Sequence, residues 1–234
     1  MIATYFDQFN IVSLVGPFTN SWMMMMGALI VILLFLIGKR VIPNVWQSIM
    51  ELAYANIRGM VYDNLGKPGQ KYFPFILSLF MFIVVLNGLG VFPYVFTPTV
   101  HIIITFGMSL SIIIGVTLLG FWGFGGNFLS ILMPAGAPMV LAPFLIVVEA
   151  ISYVSRAISL GVRLAANLIA GHLLFSIISG FAFSMLVGGL ALLGLFPMLI
   201  MVFITLLEMA VAGIQAYVFC LLTTIYLGDT IALH

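Results

Sequence analysis

Charge is what this sequence has least of: seven Lys and Arg and six Asp and Glu among 234 residues. A soluble domain carries about a quarter charged residues, whereas here 6% are charged and 64% are hydrophobic, with a mean hydropathy of +1.33. A soluble globular fold is excluded, and a polytopic integral membrane protein remains. The formal charge is +1, and no basic patch lies outside one short loop region, so nucleic acid is not expected as a partner. The single cysteine, Cys220, rules out an internal disulfide and any cysteine-built metal site, and suits a small apolar packing residue. Fifteen Met and twenty-one Phe suit lipid contact and core filling, with no cofactor box among them. The first residues, MIATYFDQFN, lack both a basic signal-peptide n-region and an Arg-rich transit-peptide character. Insertion from the side of synthesis is therefore expected.

What is present is a series of long apolar runs. Ser21 to Ile37, closed by Lys39 and Arg40, is just long enough to span a bilayer. Asn44 to Asn64 follows Pro43 and is interrupted by Glu51, Asn56, Arg58 and Asp63, a pattern that predicts an amphipathic helix lying in the interface. Tyr72 to Leu89 and Val100 to Trp122 predict two further spans, joined by a Pro- and Gly-rich turn that carries His101. From Gly123 to Pro143 the chain is punctuated by Gly125, Gly126, Pro134, Gly136 and Pro138, so only short helical or re-entrant pieces are expected there.

Residues 144 to 196 contain no proline. As one helix they would measure about 80 Å at 1.5 Å per residue, more than twice the ~30 Å hydrocarbon layer. Such a helix must tilt strongly or break near Gly188 and Gly189. Pro197 to Leu227 is also too long for an upright span. The expected fold is one all-α membrane domain over residues 1–234. It has about five membrane helices (21–37, two within 72–122, two within 143–228) and an interfacial helix at 44–64. The last two helices form a long, strongly tilted hairpin. Lys39, Arg40, Arg58, Lys67 and Lys71 all fall between the first two spans, which puts that loop on the positive-inside face. The N-terminus is then outside and the C-terminus inside.

One stretch, Ile151 to Leu174, puts Arg156, Arg163, Asn167 and His172 into a run otherwise oily enough for lipid. Ionisable groups at that depth cost a few kcal/mol or more and mark function. Glu149, Arg156 and Arg163 are spaced by seven residues, near two turns each, and share a drifting helix face with Ser152, Ser159 and Ala166. His172, nine residues beyond Arg163, has roughly the opposite azimuth. In an antiparallel hairpin, residues at equal depth have numbers summing to a constant. That value is 378 for Glu149 with Asp229 and for Arg163 with Gln215, and 380 for His172 with Glu208. The shared centre falls beside Gly188 and Gly189.

Glu and His can exchange protons across such a membrane, whereas arginine stays protonated. A fixed cation between two titratable clusters blocks a straight leak, so transport needs a mobile carrier. A partner carboxylate passing Arg163 is held ionised there; it releases its proton on one side and recaptures one on the other.

Five segments, SLGVRLAANLIAGHLL, LEMAVAGIQAYVF, PYVFTPT, MPAGAP and the terminal YLGDTIALH, closely resemble the subunit a family of F-type ATP synthases over nearly the whole chain. His172 after AG, Glu208 before MAVA, and DQFN near the start are similar to its mitochondrial form. The resemblance implies a stator beside a rotating ring of c subunits in the mitochondrial inner membrane, with other stator and membrane-sector subunits as partners and no cofactor. It implies that Arg163 faces the ring carboxylate with Gln215 and Asn167 beside it. His172 and Glu208 would line the half-channel from the intermembrane space, and Glu149 with Asp229 the one to the matrix. Arg156, which matches a basic position of the family, and His101, near the outer face, are further candidates.

Plainer roles stand beside these. Arg163 could snorkel or pair with Glu149, and His172 with Glu208 could be a structural pair. Asn167 and Gln215 suit an interhelical hydrogen bond. Glu149, Asp229, Arg156 and Arg58 suit interfacial positions. His172, Glu208 and His101 do not make a full zinc ligand set. A self-contained secondary transporter would call for paired inverted repeats, which the sequence does not display, and a purely structural assembly subunit is a third class. Sodium is a formal alternative to the proton, without a dedicated oxygen-ligand cluster to support it.

Overall fold

The computed structural model describes residues 9–16, 18–36, 44–91, 95–125, 141–189 and 191–231. Lys39, Arg40, Pro43, the MPAGAP segment and the terminal Ala232 to His234 lie outside the described residues, as does part of PYVFTPT. Six α-helices are described: α1 Asn20–Leu36, α2 Val45–Leu65, α3 Phe73–Gly90, α4 Ile102–Phe124, α5 Ala142–Val187 and α6 Ala191–Ile231. A short antiparallel ribbon, β1 Ser13–Val15 with β2 Phe18–Thr19, precedes α1 and was not expected from the sequence. The Asn20 side chain ties it down, donating to the Asn10 carbonyl at 3.1 Å and accepting from the Val12 amide at 3.3 Å.

The chain is an all-α polytopic membrane protein, and four of its helices are long and apolar enough to cross a bilayer. The first expected span, Ser21 to Ile37, is met by α1 within one residue. At 17 residues α1 reaches about 26 Å, a little less than the hydrocarbon thickness of ~30 Å. In α2, Ile57, Met60, Val61 and Leu65 form one buried stripe at helical spacing, while Glu51, Arg58 and Asp63 are exposed. This is the two-faced helix that the pattern predicts. It ends at Gly66, whose φ of 63° is open to glycine at little cost and whose amide reaches the Tyr62 carbonyl at 2.9 Å. Arg58, Lys67 and Lys71 are all exposed.

The proline-free run does break at the glycine pair. α5 has 46 residues, begins with Pro143 in its first turn, and stops at Val187. Gly188 donates to the Ser184 carbonyl at 3.0 Å, and Gly189 takes a φ of 79°, which ends the helix. α6 then runs for 41 residues. At about 69 and 62 Å, neither helix fits upright in a ~30 Å layer. One boundary differs from expectation: α6 starts at Ala191 and contains Pro197 instead of starting there. Pro197 removes only the bond to the Leu193 carbonyl in the second turn, where the helix is still close to its end.

Contacts divide the chain into two units. One comprises Met1–Ile37, Met81–Ile102 and Leu164–Tyr217; the other comprises Gly38–Phe80, Ile103–Arg163 and Val218–His234. In the second unit, Thr105, Ser109, Ile112, Ile113, Val116 and Gly120 form the buried stripe of α4. Gly161 of α5 packs against this helix so closely that a Cβ there would lie 2.9 Å from the Phe106 Cα and 2.7 Å from the Ser109 Oγ. Cys220 is buried in the same unit, with its Sγ 3.8 Å from the Ile76 carbonyl, the packing role its sequence setting suggests.

Backbone cannot swing aside as a side-chain tip can. Gly161→Ala is therefore expected to destabilise the protein by about 1–3 kcal/mol through overpacking. Thermal denaturation of the detergent-extracted protein measures this, and an unchanged midpoint would mean that α4 and α5 do not approach this closely.

Candidate functional site

In the first unit, α3, α5 and α6 enclose a cavity of about 410 Å³ whose polar lining groups are Asn87, Asn167, Glu208 and Gln215, with Leu164 and Phe203 among its apolar walls. At ~30 Å³ per water it has room for on the order of ten. The Asn167 Nδ2 donates to the Gln215 Oε1 at 3.2 Å, joining α5 to α6. Glu208 is 8% exposed, and its Oε1 has no hydrogen-bond partner among the described residues and lies 3.7 Å from the His172 Nε2. Asn87 is fully buried. Its Oδ1 accepts from Thr99 at 3.0 Å, while its Nδ2 is unpartnered among the described residues. A buried polar atom left without a partner costs about 1–3 kcal/mol, so a water in the cavity would relieve both, accepting from the Asn87 Nδ2 and donating to the Glu208 Oε1.

Two packing details set this geometry. Gly171 leaves room for the carboxylate, since a Cβ there would stand 2.7 Å from the Glu208 Oε1. His172, the next residue, is fixed by Thr97, whose Oγ1 lies 3.2 Å from Nε2, and by the edge of the Phe9 ring at 6.1 Å between centroids. The backbone of Phe9 also hydrogen-bonds His101, which stacks on Phe96 at 5.4 Å. Burial pushes the His101 imidazole below its ordinary value, against the Phe9 hydrogen bond, so His101 is mostly neutral at pH 7.

The second unit holds the other charged cluster. Arg156 lies 3.8 Å from the Glu149 Oε1 and 3.4 Å from the Asp229 Oδ2, and its guanidinium sits over the Tyr226 ring at 5.9 Å. Arg156, one of the two further candidates, therefore bridges both carboxylates. Their side chains are 37% and 56% exposed, so each ion pair contributes about 0–1 kcal/mol where water reaches it.

Arg163 is exposed, and its side-chain hydrogen bond is to Ser159 Oγ at 3.3 Å. Among the described residues no carboxylate pairs with it. Ser159, Arg163, Ala166 and Ala170 recur at helical spacing along α5 and are all exposed, forming a strip of small side chains around one cation.

The structure brings His172 to within 3.7 Å of Glu208, while the other residues placed at equal depth meet different partners. Gln215 is bonded by Asn167 in place of Arg163, and Glu149 with Asp229 meet through Arg156. A constant sum of residue numbers aligns Cα levels, but helical side chains lean toward their own N-terminus. In an antiparallel pair the contacting partners are thus displaced to higher residue numbers than the level ones. Asn87, Thr97 and Thr99 were missed. The signal was available, because a polar side chain inside the apolar Tyr72 to Leu89 run carries the same cost that flagged Arg163. Among the described residues no group of three or more His, Cys, Asp or Glu side chains could hold a metal ion.

Residues 21–228 match the family described as ATP synthase A chain. A protein of Metridium senile named ATP synthase subunit a is 63% identical over 234 residues, covering 100% of both chains. Proteins of that name from Chondrus crispus and Marchantia polymorpha are 41% and 43% identical, covering 100% of this chain and 98% and 100% of theirs.

Gly171→Ala is expected to cost about 1–3 kcal/mol of stability by pushing the Glu208 carboxylate off its seat. Adding Glu208→Ala should recover most of that loss, because the clash is with that one side chain. Thermal denaturation of the single and double variants measures the coupling, and additive losses would place the carboxylate elsewhere.

Proposed function

The chain belongs to the ATP synthase A chain family, and from that premise we propose that it is the stator subunit of the membrane sector of an F-type ATP synthase. It provides two offset proton half-channels to and from the carboxylates of a rotating c-ring in the mitochondrial inner membrane. The observation that carries this reading is the exposed Arg163, a permanent cation on an apolar helix whose partner among the described residues is only a serine hydroxyl. A charge in lipid needs a counter-charge, and a carboxylate of another chain supplies one.

In this account a proton enters from the intermembrane space through His172 and Glu208 and the cavity lined by Asn87, Asn167 and Gln215. It neutralises a ring carboxylate, which then turns through the lipid. The returning carboxylate is held ionised by Arg163 after its proton leaves to the matrix past Glu149, Arg156 and Asp229. His101 lies at the outer approach. The N-terminus faces the intermembrane space and the C-terminus the matrix. The subunit catalyses no bond change and holds no cofactor; its partners are the c-ring, the other membrane-sector subunits and lipid. The guanidinium cannot deprotonate, so it prevents a direct leak between the two half-channels.

Arg163→Ala is expected to abolish coupled ATP synthesis while the complex still assembles; assembled complexes that retain proton-driven synthesis would remove Arg163 from the mechanism. Glu208→Gln and His172→Ala are each expected to slow proton uptake by about 10²-fold, the scale of a lost proton-transfer group. Flux measured in reconstituted complexes at several pH values checks this, and unchanged rates would exclude both residues from the path.

A further inference from the structure

Thr97 is 5% exposed and sits just before the Pro98–Val100 turn, in the stretch between α3 and α4. Its Oγ1 lies 3.2 Å from the His172 Nε2 and donates to the Gly90 carbonyl at 3.5 Å. A hydroxyl has one proton and two lone pairs. With that proton turned toward Gly90, Nε2 can be the donor in the other contact, and the imidazole then carries its proton on Nε2. The seat is built for this side chain. A Cβ at residue 90 would come within 2.7 Å of Thr97 Oγ1 and closer still to its Cγ2, so only glycine admits the threonine. Glu208 is seated in the same way over Gly171, its Oε1 3.7 Å from the same ring nitrogen.

We propose that Thr97 is a positioning residue for proton transfer between His172 and Glu208. It fixes the ring so that protons arrive at Nδ1 and leave from Nε2. This inference rests on the reading that His172 and Glu208 carry protons. When a proton reaches Nδ1, the ring becomes a cation, and Thr97 accepts one of its two N–H bonds. The Nε2–H bond then breaks and an O–H bond forms on the Glu208 carboxylate. A neutral imidazole with its proton on Nδ1 and a neutral carboxylic acid remain. The hydroxyl then rotates and donates to the bare Nε2, holding the ring in place until it resets. The titratable group facing His172 from α6 is Glu208; the stretch carrying Thr97 contributes the hydroxyl, and the Phe9 side contributes a ring edge, with His101 beyond it. On α5 itself the nearest cation is Arg163, nine residues earlier.

The test uses the complete ATP synthase reconstituted in vesicles, with proton uptake measured against pH. Thr97→Val keeps the shape and removes the hydroxyl. It is expected to slow uptake about tenfold, and to move the acid limb of the profile toward lower pH because the imidazolium has lost an acceptor. Thr97→Ser is expected to stay within about threefold of the native rate with the native profile, and Gly90→Ala to behave like the valine variant. A valine variant with native rate and profile, while His172→Ala is slow, overturns the proposal and leaves the functional reading standing. A native rate in His172→Ala overturns the functional reading itself. Should Thr97→Val fail to assemble, the ¹⁵N shifts of His172 in the labelled native complex decide. A neutral ring with its proton on Nε2 is expected, and one with its proton on Nδ1 overturns the assignment.

Discussion

An ionised or strongly polar side chain in an apolar helix must find a partner, and that requirement orders everything else in this chain. Glu208 and Asn87 face a cavity large enough for water, and Asn167 takes Gln215. Arg156 holds Glu149 and Asp229. Each of these groups is satisfied, or can be, inside the subunit. Arg163 is exposed and finds only a hydroxyl among the described residues. The same physical rule thus separates two internally paired clusters from one exposed cation without a carboxylate partner among the described residues.

Close approach of helices makes these contacts available. Gly161 lets α5 reach the backbone of α4, Gly171 admits the Glu208 carboxylate, and Gly90 admits Thr97. These glycines are spaces for a neighbour. Gly189 is a different case, needed for a positive φ that ends a 46-residue helix and lets α6 return along it. A membrane protein cannot rely on the hydrophobic effect between its helices, so small residues and interhelical hydrogen bonds do that work.

Much of this was legible in the residues. Hydropathy, with the interrupted pattern of 44–64, located α1 to α5 to within about two positions and the glycine pair located the turn, because both depend on local composition, whereas α6 starts six residues before Pro197. The His172 and Glu208 pair followed from counting outward from that turn. The hydrogen bond between Asn167 and Gln215 was one of the plainer roles those amides suit, whereas counting levels set Gln215 beside Arg163, because it ignores how side chains lean along a helix. Arg156 was only a further candidate, since nothing in a seven-residue spacing shows that a long side chain will reach a carboxylate on the other helix. Pro197 gave a false helix start, because a proline near a helix end removes little. Asn87 stands out as a polar side chain inside an apolar run, while Thr97 was hidden by its ordinary chemistry. A threonine beside proline reads as a turn residue, and only the contact with His172 gives it a role.

The central claim is that Arg163 is neutralised by an acid on a different chain. The most direct measurement is a map of the assembled membrane sector at a resolution that shows side chains. The account predicts a carboxylate of a ring subunit opposite the Arg163 guanidinium, at ion-pair or single-water distance. A guanidinium turned to lipid headgroups, or paired with Glu149 of its own chain, would contradict it.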